Sequence, residues 1–306
     1  MLKRIEKVHI IGLGALGMLY GSIIDRNLGS GHVSFIMDSD RYEHHKEDQY
    51  RINGTPVCFC KIKAADASPC DLLILAVKYN DLDAALETMK SSVDEDTLII
   101  SVMNGISTEE IIGNRFGKGK VIPTVAQGMD AMHFGSELHF SRPGCLHVGI
   151  TAPSMQGPLD RLVEFFQRSG IPHVLEEDIM YRMWSKFMVN VGINQTCMIY
   201  NTDYEGVLTD GTVEYMTLIS AMREVILLAN AEGIPVSEQE LGDYLELMHS
   251  FNPKATPSMG QDRINRRHSE VELFAGTVIR MAKEHNIPVP ANQYIYRRVH
   301  EIESEY

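Results

Sequence analysis

Three polar residues stand four apart in an otherwise apolar stretch: Lys186, Asn190 and Asn194 in R-M-W-S-K-F-M-V-N-V-G-I-N. On a helix that spacing stacks all three on one face. A lysine among apolar residues suits proton donation to an oxygen on which negative charge develops, and burial lowers an ammonium pKa toward the range of a general acid. The same spacing also fits a solvated polar stripe. A second polar stretch, P-S-M-G-Q-D-R-I-N-R-R-H-S-E, offers Ser258, Asp262 and Glu270. Ser258 and Asp262 follow Pro257 and suit the opening of a helix. Glu270 taken alone fits a surface carboxylate.

Near the start of the chain, Gly12, Leu13, Gly14, Ala15, Leu16 and Gly17 spell G-L-G-A-L-G directly after the apolar run Val8 to Ile11. In such a loop the first glycine permits a tight turn, the second lets the backbone approach a pyrophosphate, and the third lets helix and strand pack closely. The helix that follows presents free N–H groups and a positive dipole end to the phosphates. An acidic residue, Asp38, ends the second apolar run about 20 residues beyond the loop, where a carboxylate accepts hydrogen bonds from an adenosine ribose diol. This favours NAD. Arg41, three residues on, offers a cation for a 2′-phosphate instead.

These residues need a scaffold, and the patterning supplies one. Val8 to Ile11, Val33 to Met37, Leu72 to Val77 and Leu98 to Val102 are apolar runs of strand length, alternating with helical stretches. Runs near Val121 to Val125, Leu146 to Ile150 and His173 to Leu175 read as further strands, with a turn expected at Pro143-Gly144. Unbroken apolar strands separated by helices imply a parallel sheet covered on both faces. From Asp178 the texture becomes helical: Ile179 to Val191, Val213 to Glu232, a helix capped by Ser237, Ser269 to Asn286, and Asn292 to Glu301. The expected fold is α/β: an N-terminal Rossmann doubly wound parallel sheet over residues 1–177 and a C-terminal all-helical domain over 178–306.

The bulk properties narrow the function. A formal net charge of −13 argues against a general nucleic-acid binder, which needs clustered Lys and Arg. No stretch has the uninterrupted apolar length of a membrane span, so no membrane association and a cytoplasmic location are expected. Cys58, Cys60, Cys70, Cys145 and Cys197 are scattered, and C-x-C is not the C-x-x-C of redox or zinc sites, so reduced cysteines and no metal are expected.

The motifs together carry a resemblance. G-L-G-A-L-G from Gly12, A-V-K ending at Lys78, N-G at Asn104, P-G at Gly144, K-x-x-x-N-x-x-x-N from Lys186, S-M-x-Q-D from Ser258 and S-E-V-E around Glu270 follow one another in order. In this the chain resembles the ketopantoate reductase (2-dehydropantoate 2-reductase) family over essentially its whole length. The resemblance implies reduction of a small 2-keto acid, 2-dehydropantoate, to D-pantoate on the route to pantothenate and coenzyme A, with NADP as the family's usual cofactor. It implies Lys186 as proton donor and Glu270 as hydrogen-bonding partner of the reacting hydroxyl and lysine. Asn190 and Asn194 would orient substrate, Ser258 would bind its carboxylate, and Asn104 and Lys78 would lie beside the cofactor. The expected assembly is a monomer or homodimer. Two departures stand out. Gln195 to Met198 read Q-T-C-M where the family often has P-L-T-A, so a different substrate-facing turn is expected, and Asp38 stands where a basic residue is common. Alternative readings are a related reductase of another 2-keto or 3-keto acid, or a non-catalytic NAD(P)-sensing regulator. Retention of Lys186, Ser258 and Glu270 together argues against the regulator.

Overall fold

The computed structural model describes residues 3–306. The chain forms two compact units, one running to Asn104 and resuming over Thr108–Ile179, the other comprising Gly105–Ser107 and Met180–Tyr306.

The first unit holds three sheets. Its strands are β1 (Val8–Ile11), β2 (Val33–Met37), β3 (Tyr50–Ile52), β4 (Thr55–Val57), β5 (Lys61–Lys63), β6 (Leu72–Leu75), β7 (Leu98–Ser101), β8 (Thr124–Met129), β9 (Met132–Phe134), β10 (Glu137–His139), β11 (Pro143–Val148) and β12 (His173–Leu175). Its helices are α1 (Ala15–Leu28), α2 (Ser39–His45), α3 (Leu82–Met89), α4 (Thr108–Phe116) and α5 (Gln156–Ser169). The main sheet is parallel with order β5-β2-β1-β6-β7. The chain leaves β1 toward one edge and returns to build the other from β6, so the strand order reverses between β1 and β6. Open α/β sheets bind ligands in the crevice at such a reversal. Strands β1, β6 and β7 are buried at every position, which accounts for their unbroken apolar runs.

Three features of this unit differ from the sequence expectation. A four-stranded sheet, β4-β3-β10-β9, was not anticipated, because none of its strands is buried throughout and each has three residues, too few to establish a period-two pattern. The strand expected from Val121 begins at Thr124, leaving Val121 as an isolated bridge to Ile99. Pro123 between them has no N–H to donate to a ladder. Pro143-Gly144 is not a turn but the start of β11. Gly144 adopts φ +67° facing Gly128 at φ +80°, and a side chain on Gly144 would meet the Gln127 carbonyl at 2.6 Å.

In the second unit every regular element described is helical: α6 (Ile179–Tyr200), α7 (Tyr204–Val207), α8 (Val213–Ala231), α9 (Glu238–His249), α10 (Ser258–Ile264), a π-helix over Glu272–Gly276, α11 (Thr277–His285) and α12 (Pro290–Glu303). Their core includes Trp184, Phe187, Val191, Met222, Val225, Phe274 and Ile295. Ser237 caps α9 by accepting from Glu240 N–H at 3.4 Å. The N-terminus of α12 is capped from α8: the buried Glu224 accepts from Ala291 N–H at 2.7 Å and from Asn292 N–H at 2.9 Å. A carboxylate there satisfies orphan donors and meets the positive end of the helix dipole. Two expectations are corrected here. The helix foreseen as ending near Val191 continues to Tyr200, and the helix foreseen over Ser269 to Asn286 becomes regular only at Thr277, behind the π-helix.

One buried group gives this fold a pH signature. His9 on β1 is fully buried, with Nδ1 2.8 Å from the Ser92 hydroxyl. Burial first, and the nearby Lys7 charge second, push its pKa down to about 4. The unfolded chain holds this imidazole near 6.5, so the unfolded state binds the proton more tightly. The stabilisation is therefore complete above about pH 6.5 and is lost as pH falls toward 4, by up to roughly 3 kcal/mol at about 1.4 kcal/mol per unit. Urea unfolding between pH 7 and 4.5 should show a shallower loss of stability in His9→Asn than in wild type. Parallel curves would exclude His9 as a contributor.

Candidate functional site

The glycine loop follows from contact distances. Gly12 has φ +108°, and a β-carbon on it would lie 2.2 Å from the Ala76 carbonyl oxygen. A β-carbon on Gly17 would lie 1.9 Å from the Gly12 carbonyl oxygen. Loop, helix and the end of β6 thus approach at backbone distance, as the motif requires. Gly14 has open space at its Cα, where an incoming group can approach the backbone. It is the N-cap of α1, no side chain caps the helix there, and no acidic residue occupies the first turn. The first helical bond runs from Met18 N–H to the Gly14 carbonyl at 2.9 Å. The amides of Ala15, Leu16 and Gly17 before it are those a helix leaves for an outside acceptor. The residues present fit a dinucleotide.

Gly12, Leu13, Asp38, Arg41, Val77 and Asp81 line one cavity. Asp38 has two occupations. It is the N-cap of α2, and its Oδ1 accepts from Arg41 N–H at 2.9 Å. That bond uses one carboxylate oxygen. Lys78 lies just beyond β6, at the entry to a short 3-10 turn over Tyr79–Asp81, and Asn104 follows β7. Neither lines this cavity. The sequence reading missed the α3 side of the cavity, formed by Asp81, Ala84, Ala85 and Thr88. The small residues of D-L-D-A-A-L-E-T behind A-V-K were the available signal.

The second cluster is built on α6. Asn194 is 6% exposed, which obliges its amide to find partners. Its Nδ2 donates to Asn190 Oδ1 at 3.2 Å, and its Oδ1 accepts from the Ser258 hydroxyl at 2.9 Å. Asn190, Asn194 and Ser258 therefore form one relay. Lys186 is half-buried one turn before Asn190 on the same helix. The first residue of α10 is Ser258, and α10 is tied to the end of α6 by Arg263, which donates to the Met198 carbonyl and to the Ile199 carbonyl at 3.0 Å. Those carbonyls belong to the last turn of α6, where acceptors lack helical partners. Arg263 was not picked out in the sequence, since nothing local distinguishes it from its neighbours Arg266 and Arg267. Asp262, considered with Ser258, is buried on α10.

Half-buried Glu270 stands just before the π-helix, and its carbonyl accepts from Leu273 N–H at 2.9 Å and Phe274 N–H at 3.2 Å. Helix α6 supports that π-helix directly. Phe187 and Phe274 pack with centroids 6.4 Å apart, and Gln195 Oε1 accepts from Ala275 N–H at 3.0 Å. This corrects the expectation for Q-T-C-M. Gln195, Thr196, Cys197 and Met198 are no substrate-facing turn; they are buried within α6, and Gln195 satisfies an amide of the π-helix.

Comparison with known proteins agrees with this geometry. Residues 8–151 match the family model described as ketopantoate reductase PanE/ApbA, and residues 178–303 match that of its C-terminal part. The chain is 23% identical to the 2-dehydropantoate 2-reductase of Aquifex aeolicus, covering 96% of each. It is 25% identical to that of Escherichia coli O157:H7, covering 98% of this chain and 96% of the relative. Among solved structures, a ternary complex of D-mandelate dehydrogenase with NADH and anilino(oxo)acetate superposes with TM-score 0.86 at 21% identity over 98% of both chains. A dimeric ketopantoate reductase from Staphylococcus aureus superposes with TM-score 0.81 at 23% identity, over 98% of this chain and 99% of the other. These structural likenesses carry the fold, while the two family models, matched in order along most of the sequence, carry the membership: the chain belongs to the ketopantoate reductase family and is an NAD(P)-dependent oxidoreductase.

Proposed function

We propose that this enzyme reduces a small 2-keto acid to the corresponding 2-hydroxy acid, with ketopantoate, giving D-pantoate, as the foremost substrate. The observation that carries this reading is the Asn190–Asn194–Ser258 relay on the helix that bears Lys186. A bound nicotinamide supplies the hydride to the carbonyl carbon. The negative charge that develops on the ketone oxygen is stabilised by the Lys186 ammonium, which then donates the proton. Glu270 hydrogen-bonds the forming hydroxyl and the lysine. Ser258, held by Asn194, donates to the substrate carboxylate, and Asn190 and Asn194 orient its remaining polar groups. At the cofactor, Gly12, Leu13 and Gly14 admit the pyrophosphate and the amides of Ala15, Leu16 and Gly17 donate to it. By the family resemblance, Lys78 and Asn104 would lie beside the cofactor, Asn104 toward its nicotinamide.

A second substrate reading has its own support. The superposing D-mandelate dehydrogenase complex holds anilino(oxo)acetate, an aryl-substituted 2-oxo carboxylate, together with NADH. An aryl or branched 2-keto acid is thus the alternative substrate. Turnover of a panel of 2-keto and 3-keto acids decides between the readings: highest kcat/KM with ketopantoate supports the first, and highest kcat/KM with an aryl 2-keto acid replaces it.

Replacing Lys186 with Ala should lower kcat by about 10² to 10⁴-fold while cofactor affinity persists, the usual contribution of a general acid. A variant that retains more than roughly a tenth of wild-type turnover excludes Lys186 as proton donor. Ser258→Ala should raise KM for the keto acid more than it lowers kcat, because a carboxylate contact is alike in ground and transition states. Collapsed turnover at unchanged KM would instead assign Ser258 to the chemical step.

For the cofactor, Asp38 has one oxygen engaged in capping α2 and the other available to a ribose diol, which favours NADH. A 2′-phosphate would meet like charge from Asp38, with Arg41 as the opposing attraction. A preference for NADH of at least about tenfold in kcat/KM, or roughly 1.4 kcal/mol, is expected. Asp38→Asn retains an N-cap side chain and should flatten the preference, and Asp38→Arg should reverse it at some cost to α2. A wild-type enzyme that prefers NADPH would show that Arg41 dominates.

A further inference from the structure

We propose that Glu303, at the end of α12, is a positioning residue for Glu270 and acts through Ser269. The proposal rests on the reading of Glu270 as a hydrogen-bonding partner in the reaction. Residues 265–270 link α10 to the π-helix without a helical ladder of their own, and Arg266 among them has φ +51°. Such a segment needs outside partners to hold one conformation. Glu303 provides them. It is 8% exposed, and its Oε1 accepts from both the Ser269 amide at 2.8 Å and the Ser269 hydroxyl at 2.6 Å. Its Oε2 lies 3.1 Å from His268 Nδ1. The neighbouring residues strengthen the hold: Arg266 donates to the Glu305 carbonyl, and the His268 ring packs against Tyr306 at 6.0 Å.

Two bonds to one residue fix both its peptide plane and its side-chain rotamer. Ser269 is the residue immediately before Glu270, so the hydrogen bonds that its amide and its hydroxyl donate to Glu303 together set the backbone on one side of Glu270. On the other side, the Glu270 carbonyl is held by the Leu273 and Phe274 amides, and the π-helix is held by Gln195. The Glu270 backbone is therefore fixed at both ends, leaving only side-chain torsions to place the carboxylate. Glu224, a second buried carboxylate, accepts instead from the Ala291 and Asn292 amides at the start of α12. Displacing a catalytic group by about 1 Å can cost roughly a hundredfold in rate, so a support of this kind acts on kcat.

The test is a double-mutant cycle in kcat, KM and NADH affinity with ketopantoate, or with the panel member of highest kcat/KM. Ser269→Ala and Glu303→Gln should each lower kcat by about ten- to a hundredfold, with KM and NADH affinity within about twofold of wild type. In a Glu270→Gln background, Ser269→Ala should cost nothing further, since the group it places has already been neutralised. If Glu303→Gln fails to fold, Ser269→Ala carries the test alone. A Ser269→Ala enzyme with wild-type kcat, or the same fold-loss with and without Glu270, overturns the positioning role even where Glu270→Gln is impaired. A Glu270→Gln enzyme with wild-type kcat instead overturns the catalytic reading of Glu270, and the positioning role with it.

Discussion

Helix α6 has to be a core element and a chemical surface at once, and much of the helical unit is arranged around that constraint. Trp184, Phe187, Met188, Val191, Cys197 and Met198 are buried against neighbouring helices, so α6 cannot turn its polar residues outward at will. A buried amide without partners costs about 1–3 kcal/mol, so the buried side-chain amides of α6 must be met by something specific. Asn194 is met by Asn190 and Ser258, Gln195 by the Ala275 amide and the Val191 carbonyl, and the last-turn carbonyls by Arg263. Each of these bonds also places another element. Ser258 and Arg263 seat α10, and Gln195 seats the π-helix behind Glu270. Satisfying α6 and assembling the candidate site are one arrangement.

In the sheet-bearing unit the corresponding constraint is steric. Gly12 and Gly17 stand where a β-carbon would overlap backbone at 2.2 and 1.9 Å, so loop, helix α1 and the end of β6 come together only because those side chains are absent. That closeness leaves the start of α1 uncovered, with no side-chain cap to compete with a phosphate. The Asp38 carboxylate caps α2 and lines the cavity beside the glycine loop, so a substitution there alters local helix stability and the cavity wall together. Net charge does not exclude an anionic substrate, since a local lysine can outweigh a formal net charge of −13.

Much of the fold was legible because it is local or periodic. The parallel strands are buried on both faces and therefore read as unbroken apolar runs, and α8 and α9 end or begin at Gly233 and Ser237 for ordinary capping reasons. The small sheet was not legible from periodicity, although Asn53-Gly54, with φ +48° and +78°, is the dipeptide that closes a tight hairpin between β3 and β4. The irregular start before the π-helix was hidden as well. Its residues have helical composition, yet the Ser269 amide donates to Glu303, 34 residues away, in place of a helical carbonyl.

The sequence by itself determined the glycine loop, the alternation of strand and helix, and the stacking of Lys186, Asn190 and Asn194 on one helical face. Each depends on residue type and a spacing of a few positions, and backbone geometry converts such spacing directly into placement. Only the tertiary structure decided that Ser258 meets Asn194 across 64 residues, that Gln195 faces the π-helix and not a substrate, and that Glu303 holds the residue before Glu270. Those pairings depend on the path of the chain between the partners. A side-chain hydrogen bond is formed within about 3 Å, and no local periodicity encodes which distant residue arrives there.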